Sequence, residues 1–292
     1  MVRNDIINAA TEDGEWDAIV TTDEIKSKLL RSAVLGMQVR GRLSFHVSAL
    51  HGLILVVGPP GTGKSTLVRG LAGQVARVVS QKKCRLIEIN PHGLMSGEHG
   101  KSQQQIHALL TEYIPTVADD KLPTILMLDE VESLAVARSE ASLAANPADV
   151  HRATDAVLTA LDELAVSHPH IVVVATSNFT GALDEAFKSR ADVIVEMPMP
   201  DAAAVHAILR QTLEGFGGAY PSLRLLSKDP RLAKVARTLA GSNGRAVRKS
   251  VTEAMLLRLD VALAPGRLTI EDLQEVADGQ SLTRLEATHA TL

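Results

Sequence analysis

The sequence predicts an α/β domain with a parallel sheet flanked by helices, followed by a small all-helical domain. Three observations predict this fold class. Near-continuous apolar runs alternate with helical patterns up to about residue 200, as is typical of parallel strands buried on both faces. A glycine-rich motif joins the first of these runs to a helical pattern. After Pro198 and Pro200 only helical patterns follow.

The elements follow in order along the chain. The apolar runs predict strands at 53–57, 85–89, 124–130, 171–178 and 191–197, and the patterns between them predict helices at 64–77, 101–113, 149–166 and 182–188. The last part of the chain predicts helices at 201–214, 230–240, 243–260 and 270–278. We therefore expect a large α/β nucleotide-binding domain over residues 1–200 and a helical lid domain over residues 201–292.

The glycine-rich motif lies in "VVGPPGTGKSTLVRGLAG", between Val56 and Gly73. It fits the phosphate-loop pattern G-x-x-x-x-G-K-[ST], in which glycines let backbone N–H groups turn inward around an anion. The following helix adds the positive end of its dipole. Lys64 is expected to reach the β- and γ-phosphates of ATP, and Ser65 to ligate Mg²⁺. The expected nucleotide-binding residues of this loop are Gly58, Pro59, Pro60, Gly61, Thr62, Gly63, Lys64, Ser65 and Thr66.

Two carboxylates end the apolar run "ILMLDE". At the exit of a buried strand, Asp129 is expected to support the Mg²⁺ shell through water. Glu130 lies one residue further and is placed to act as the general base for a water that attacks the γ-phosphate. A hydrolase needs this second acid there and a kinase does not. Asn178 ends the run "VVVATSN", and we expect its amide to orient the attacking water.

Composition limits the classes of protein that the chain can represent. Its 292 residues have a net charge of −4, which argues against a dedicated nucleic-acid binder. The single cysteine, Cys84, excludes an internal disulfide and suits a reducing compartment; we interpret it as a packing residue. The first residues lack the apolar core of a signal peptide, and no apolar run approaches the roughly 20 residues of a membrane span. We expect a soluble cytoplasmic protein.

The order of the phosphate loop, "ILMLDE", Asn178, "FKSRAD" and "GSNGRAVRK" resembles an AAA+ ATPase. In that family an arginine before the last strand reaches the nucleotide of the neighbouring subunit, and Arg190 matches this position. The purely structural alternative is an ordinary surface ion pair of Arg190 with Asp192 or Glu185. A second family arginine, in the lid, contacts the γ-phosphate of its own subunit. Arg245 matches it, with Arg248 as the second choice.

Four further stretches closely resemble the pachytene-checkpoint AAA+ ATPases: "WDAIVTTDEIKSKLL" (16–30), "DEVESLAVAR" (129–138), "ATDAVLTALDEL" (153–164) and "ATSNFTGALDEAFKSRAD" (175–192). The resemblance implies a homo-hexameric ATPase that pulls a flexible segment of a HORMA-domain protein through a central pore and opens its closed state. Within the family, the chain resembles the short bacterial members. Their HORMA partners, alone or bound to a nucleotidyltransferase, act in cyclic-nucleotide antiphage signalling.

Two features depart from that family. Only about fifteen residues precede Trp16, whereas eukaryotic members carry an N-terminal domain that recruits substrate. The family's first pore loop presents aromatic residues, whereas the matching stretch "NPHGLMSGEHGKS" (90–102) has none. Met95 and His99 are the candidates there for contacting substrate.

Two other functions remain open from the sequence. The first is a nucleic-acid machine on the same fold, such as a helicase loader, clamp loader or transposition regulator. The second is a nucleotide-gated scaffold that scarcely hydrolyses ATP. The presence of Glu130, Asn178 and Arg190 argues against this second function. The nucleic-acid alternative would use a basic cluster formed by Arg224, Lys228, Arg231, Lys234, Arg237, Arg245, Arg248 and Lys249.

Overall fold

A computed structural model describes residues 2–10, 14–90, 101–133, 147–179, 181 and 183–289. The chain forms two compact units. The sheet unit comprises residues 1–58 and 64–197, and the helical unit comprises residues 59–63 and 198–292. Residues 59–63 of the phosphate-binding motif thus group with the helical unit, although the strand before them and the helix after them belong to the sheet unit.

The sheet unit contains one six-stranded sheet in the order β1-β3-β4-β5-β2-β6. The strands are β1 (Val2–Asn8), β2 (Leu53–Val57), β3 (Lys83–Ile89), β4 (Thr124–Leu128), β5 (Ile171–Ser177) and β6 (Val193–Glu196). Strands β2 to β6 pair in parallel, which confirms the predicted parallel arrangement for these five. The sheet is nevertheless mixed, because β1 pairs antiparallel with β3 at one edge.

Strand β1 was not predicted, because its sequence VRNDIIN is too polar to form an apolar run. It lies at the sheet edge and alternates between half-buried and exposed residues. An edge strand needs only one covered face and one hydrogen-bonded neighbour, so an apolar-run criterion misses it. Strand β4 also differs from expectation: it ends at Leu128, so Asp129 and Glu130 lie in the turn that follows it.

The core has two layers, one on each face of the sheet. In β2, Leu53, Leu55 and Val57 pack into the layer beside the helices after β3 and β4. Ile54 and Val56 alternate with them and pack into the layer beside the helices before β2 and after the phosphate-binding motif. Because every residue of β2 is buried on one face or the other, its sequence is continuously apolar.

The helices of the sheet unit flank this sheet. A long helix before β2 was not among the predicted elements; Thr22 caps its first turn by accepting a hydrogen bond from the backbone N–H of Ile25. A π-helical turn, Leu109–Tyr113, interrupts the helical segment after β3. The helices are α1 (Gly14–Ala18), α2 (Asp23–Arg40), α3 (Phe45–Ser48), α4 (Lys64–Val78), α5 (Lys101–Ala108), α6 (Ile114–Val117), α7 (Pro147–Ser167) and α8 (Glu185–Ser189).

The described part of the helical unit contains helices and no strands. The predicted helix 243–260 is two helices, because Arg258 has extended backbone angles between them. A short helix at 222–226 was not predicted. The helices are α9 (Ala202–Phe216), α10 (Ser222–Leu226), α11 (Leu232–Leu239), α12 (Gly244–Leu256), α13 (Leu259–Leu263) and α14 (Ile270–His289).

Candidate functional site

The phosphate loop leaves β2 at Gly58 and enters α4 at Lys64. Gly58, Gly61 and Gly63 have φ angles of 152°, 79° and 96°, in the range that side-chain-bearing residues rarely adopt. At Gly58 a Cβ would also lie 2.3 Å from the carbonyl oxygen of Met197. These glycines are therefore required by the backbone path of the loop, as the motif predicted.

Lys64 is buried at the start of α4. Its Nζ donates hydrogen bonds to the carbonyl oxygen of Gly58 at 2.7 Å and to Oδ1 of Asn178 at 2.8 Å. The ends of β2 and β5 lie side by side in the sheet, which brings Asn178 beside the lysine. The structure thus joins two of the predicted site residues that lie 114 positions apart in sequence.

Asp129 receives two hydroxyl hydrogen bonds on the same oxygen. Ser65 Oγ and Thr176 Oγ1 each donate to Asp129 Oδ1 at 2.6 Å. A serine hydroxyl beside a carboxylate is the oxygen donor set that Mg²⁺ prefers when it keeps water and phosphate as its other ligands. No cluster of three or more His, Cys, Asp or Glu side chains with metal-site geometry occurs among the described residues.

Thr176 is a site residue to which the sequence analysis assigned no role. Besides bonding Asp129, its Oγ1 accepts a hydrogen bond from the backbone N–H of Glu130 at 3.0 Å. One threonine therefore fixes the side chain of one acid and the main chain of the next. The available clue was a polar side chain at a fully buried strand end.

Glu130 has a left-handed backbone, with φ of 54°. A non-glycine residue in this region is strained, and such strain concentrates at functional sites where neighbouring contacts impose it. The hydrogen bond to Thr176 is one such contact. The chain turns immediately after β4. Glu130 follows Asp129 directly in sequence, next to the hydrogen bonds that Asp129 accepts from Ser65 and Thr176.

Glu132 is the second residue that the sequence analysis missed. Its Oε1 accepts hydrogen bonds from both the backbone N–H and the Nδ2 of Asn178, at 3.2 and 3.1 Å. Asn178 therefore lies between an acceptor, Glu132, and a donor, Lys64. The spacing of Glu132, two residues after the predicted base, was the only clue in the sequence.

Arg190 makes neither of the ion pairs considered from the sequence. Its Nε and Nη2 each donate to one carboxylate oxygen of Asp162 at 2.8 Å. This pairing raises the pKa of Arg190 above its usual value. Asp192, the nearer candidate in sequence, instead accepts hydrogen bonds from the backbone N–H groups at the start of β2, and Glu185 pairs with Lys188. The interpretation of Arg190 as a partner of Asp192 or Glu185 is wrong.

The two lid arginines differ in environment within the helical unit. The backbone N–H of Arg245 donates to the carbonyl oxygen of Gly61 at 3.1 Å, while its side chain is exposed. Arg248, one turn later, is half-buried, and desolvation lowers its pKa. Its Nη2 lies 3.5 Å from Oε1 of Gln211. The main chain of Arg245 thus contacts the phosphate loop directly.

The remaining predictions from the sequence concern Cys84, the basic cluster, the pore-loop candidates and membrane spans. Cys84 is fully buried, and burial raises the pKa of its thiol to about 12, so it is a packing residue. In the basic cluster, Arg231 pairs with Asp229 and Glu271, and Lys249 with Glu253. Met95 and His99 lie outside the described residues. Within the described parts of the chain, no helix has the length and apolar character needed to cross a membrane.

Comparison with known proteins places these residues in context. Residues 54–199 match the family model "ATPase family associated with various cellular activities (AAA)". The chain is 44% identical over 271 residues to CD-NTase-associated protein 6 of Pseudomonas aeruginosa, covering 93% of this chain and 89% of that protein. It is 33% identical to the Pachytene checkpoint protein 2 homolog of Arabidopsis thaliana, over 72% of this chain but only 45% of that protein.

A solved structure supports the same fold. The chain matches one from the "Structure of E. coli MS115-1 HORMA:CdnC:Trip13 complex" with a TM-score of 0.71, over 94% of both chains, at 19% identity. At that identity the likeness concerns the fold alone. It extends along nearly the whole chain, beyond the residues that the family model matches.

Proposed function

The chain belongs to the AAA ATPase family, in the group of CD-NTase-associated protein 6 and the pachytene checkpoint protein 2 homologues, and from this premise we propose that it hydrolyses ATP to remodel a HORMA-domain protein. The family binds nucleotide, and we propose that the phosphate loop from Gly58 to Thr66 takes the phosphates of ATP. The remaining steps are proposals for this chain's own residues.

The hydrolytic step uses groups from the ends of three neighbouring strands. Lys64 neutralises the β- and γ-phosphates after exchanging its contacts with Gly58 and Asn178 for phosphate oxygens. Glu130 accepts a proton from water as the water attacks the γ-phosphorus, and ADP leaves with the β–γ bridging oxygen. Asn178 orients that water. The residues that would hold Mg²⁺ are Ser65, directly, and Asp129, through water; the ion would offset the charge of the phosphates.

Arg190 is proposed to complete the site of a neighbouring copy in a homo-hexamer. The match of Arg190 to the family position before the last strand supports this role; within this chain its half-buried guanidinium pairs with Asp162 near the end of α8. An arginine supplied in trans would leave Asp162 for the phosphates when a neighbour binds ATP. Arg245 is proposed as the lid contact to the γ-phosphate in its own subunit.

The observation that carries the remodelling proposal is the 44% identity to CD-NTase-associated protein 6 along nearly the whole of both chains. A likeness of that length includes the helical unit as well as the ATPase core. It supports a shared function, in which the chain opens a closed HORMA-domain protein that can itself bind a nucleotidyltransferase, in antiphage signalling. HORMA is also a named component of the solved complex that contains the structural match.

ATP-dependent release of a bound peptide from a HORMA-domain protein tests this function. A HORMA-domain protein from the organism that encodes this chain would be loaded with a fluorescent closure peptide, and anisotropy followed after adding the purified chain and ATP. We expect release with ATP and retention with a slowly hydrolysed analogue or with Glu130→Gln. Retention with ATP, in a preparation that turns ATP over, would refute the remodelling function and leave the ATPase function intact.

A further inference from the structure

The contacts of Asn178 fix the direction of its side-chain amide. An ammonium can only donate hydrogen bonds and an ionised carboxylate can only accept them. Lys64 lies at one end of the amide and Glu132 at the other, at 2.8 and 3.1 Å. Only one orientation satisfies both contacts: Oδ1 toward Lys64 and the phosphate loop, and Nδ2 toward Glu132.

Glu132 accepts two hydrogen bonds from Asn178, one from its side chain and one from its main chain. The same Oε1 also accepts the backbone N–H of Asn178 at 3.2 Å, so main chain and side chain are fixed by one atom. Lys64 must turn to the phosphates when ATP binds, whereas Glu132 is half-buried in the short turn Val131–Ser133 and need not move. With ATP bound, Glu132 is then the contact among the described residues that keeps Oδ1 of Asn178 directed at the phosphates.

Glu132 is poorly satisfied for a residue with a purely structural role. Its Oε2 is buried and has no hydrogen-bond partner among the described residues. An unsatisfied buried carboxylate oxygen costs folding free energy. A neutral amide would supply one acceptor for Asn178 without an ionised oxygen to desolvate. A carboxylate at position 132 is therefore better explained by a role in the reaction than by a contribution to folding stability.

We propose that Glu132 is a positioning residue for ATP hydrolysis, which acts by presenting Oδ1 of Asn178 as the acceptor of a hydrogen bond from the attacking water. This rests on the function proposed above for Asn178. The carboxylate makes the amide directional, so the water is held by an acceptor on one side and deprotonated by Glu130 on the other. Glu132 acts through Asn178 in this role rather than on ATP or the water directly.

A double-mutant cycle of Glu132→Ala and Asn178→Ala tests the proposal in the full chain, with phosphate release from ATP as the readout. We expect Glu132→Ala to lower kcat by about 2- to 150-fold, the usual range for coupled neighbours, with the KM for ATP unchanged. The double variant should be no slower than Asn178→Ala. Glu214→Ala, at an exposed carboxylate on α9, is the matched control and should behave as wild type.

A rescue pair separates positioning from support of the fold. Asn178→Asp keeps an acceptor toward the water but sets a second carboxylate against Glu132, so kcat should fall. Adding Glu132→Gln supplies an amide donor to that aspartate and should recover part of the loss, a result that lost packing does not predict. Thermal unfolding should show Glu132→Gln at least as stable as wild type.

Four results would overturn the proposal. Additive losses in the cycle would show that Glu132 acts independently of Asn178. Absence of rescue in the Asn178→Asp, Glu132→Gln pair would remove the directional role. Wild-type kcat in Glu132→Ala together with a defective Asn178→Ala would refute this proposal alone, whereas wild-type kcat in Asn178→Ala would refute the function proposed for Asn178 as well.

Discussion

At the scale of single residues, Lys64 carries the strongest prediction about nucleotide binding. It is the one cationic side chain in the sequence of the phosphate loop, and backbone N–H groups cannot replace its point charge. We expect Lys64→Ala to abolish or severely weaken ATP binding, measured by calorimetry with a slowly hydrolysed analogue. Lys249→Ala removes an exposed lysine of α12 and should bind normally. Equal affinity in Lys64→Ala and wild type would contradict the assigned role.

Glu130 carries the corresponding prediction about turnover. Glu130→Gln removes the base but preserves the size of the side chain and the phosphate loop, so ATP binding should persist while hydrolysis falls about 10²–10⁴-fold. Glu214→Gln makes the same chemical change on an exposed helix face and should leave turnover unchanged. Single-turnover phosphate release measures both. Turnover of purified Glu130→Gln at the wild-type rate would exclude Glu130 as the base.

Residues with a fixed spacing in the sequence were the predictable part of this site. The phosphate loop, Asp129 and Asn178 each follow a buried apolar run, and parallel strands bring such ends to one edge. Thr176 and Glu132 could not be assigned, because each acts by contacting a residue far away in sequence. The ion-pair partners considered for Arg190 were wrong for the same reason. Its actual partner, Asp162, lies 28 residues earlier, on another helix.

Among the helices, α4 and α1 approach each other closely because Gly70 of α4 has no side chain. A Cβ there would lie 2.6 Å from the backbone nitrogen of Trp16. Gly70→Ala should therefore destabilise the protein by about 1–3 kcal/mol, although alanine favours helices more than glycine does. The measurement is thermal or urea unfolding followed by circular dichroism.

Gly279 offers the matched control for that substitution. It also lies inside a helix, α14, but a Cβ there would have no heavy atom within 4 Å. Gly279→Ala should raise the free energy of unfolding by roughly 0.5–1 kcal/mol, because alanine loses less backbone entropy. Gly70→Ala at or above wild-type stability would show that α1 does not pack as closely on α4 as described.

The elements that the sequence predicted well were those buried on both faces. β2, β4 and β5 are almost fully buried, and their composition reflects that. β1 was missed because an edge strand is free to be polar, and the break at Arg258 was missed because a backbone change at one residue leaves the apolar pattern of its neighbours intact.

At the scale of the whole molecule, the division into a sheet unit and a helical unit bears on how ATP binding could be coupled to movement. Residues 59–63 group with the helical unit, and the backbone of Arg245 bonds the carbonyl of Gly61. A change in the loop on nucleotide binding would therefore act directly on α12.

We propose that ATP turnover is completed between copies, through Arg190. Mixing Arg190→Ala with Glu130→Gln tests it most directly, because a junction that joins the intact Glu130 of one variant to the intact Arg190 of the other is a complete site. Arg190→Ala alone should bind ATP yet lose turnover, by about 10³–10⁵-fold for a finger in trans. Asp162→Asn breaks the same ion pair but keeps the arginine, so it should retain turnover.

We would measure phosphate release over a series of mixing ratios and, for wild type, over a dilution series. If Arg190 acts in trans, the two inactive variants should recover activity when mixed, with a maximum at intermediate ratios. The specific activity of wild type should rise with protein concentration. No recovery at any ratio, together with wild-type activity independent of concentration, would contradict a trans role for Arg190.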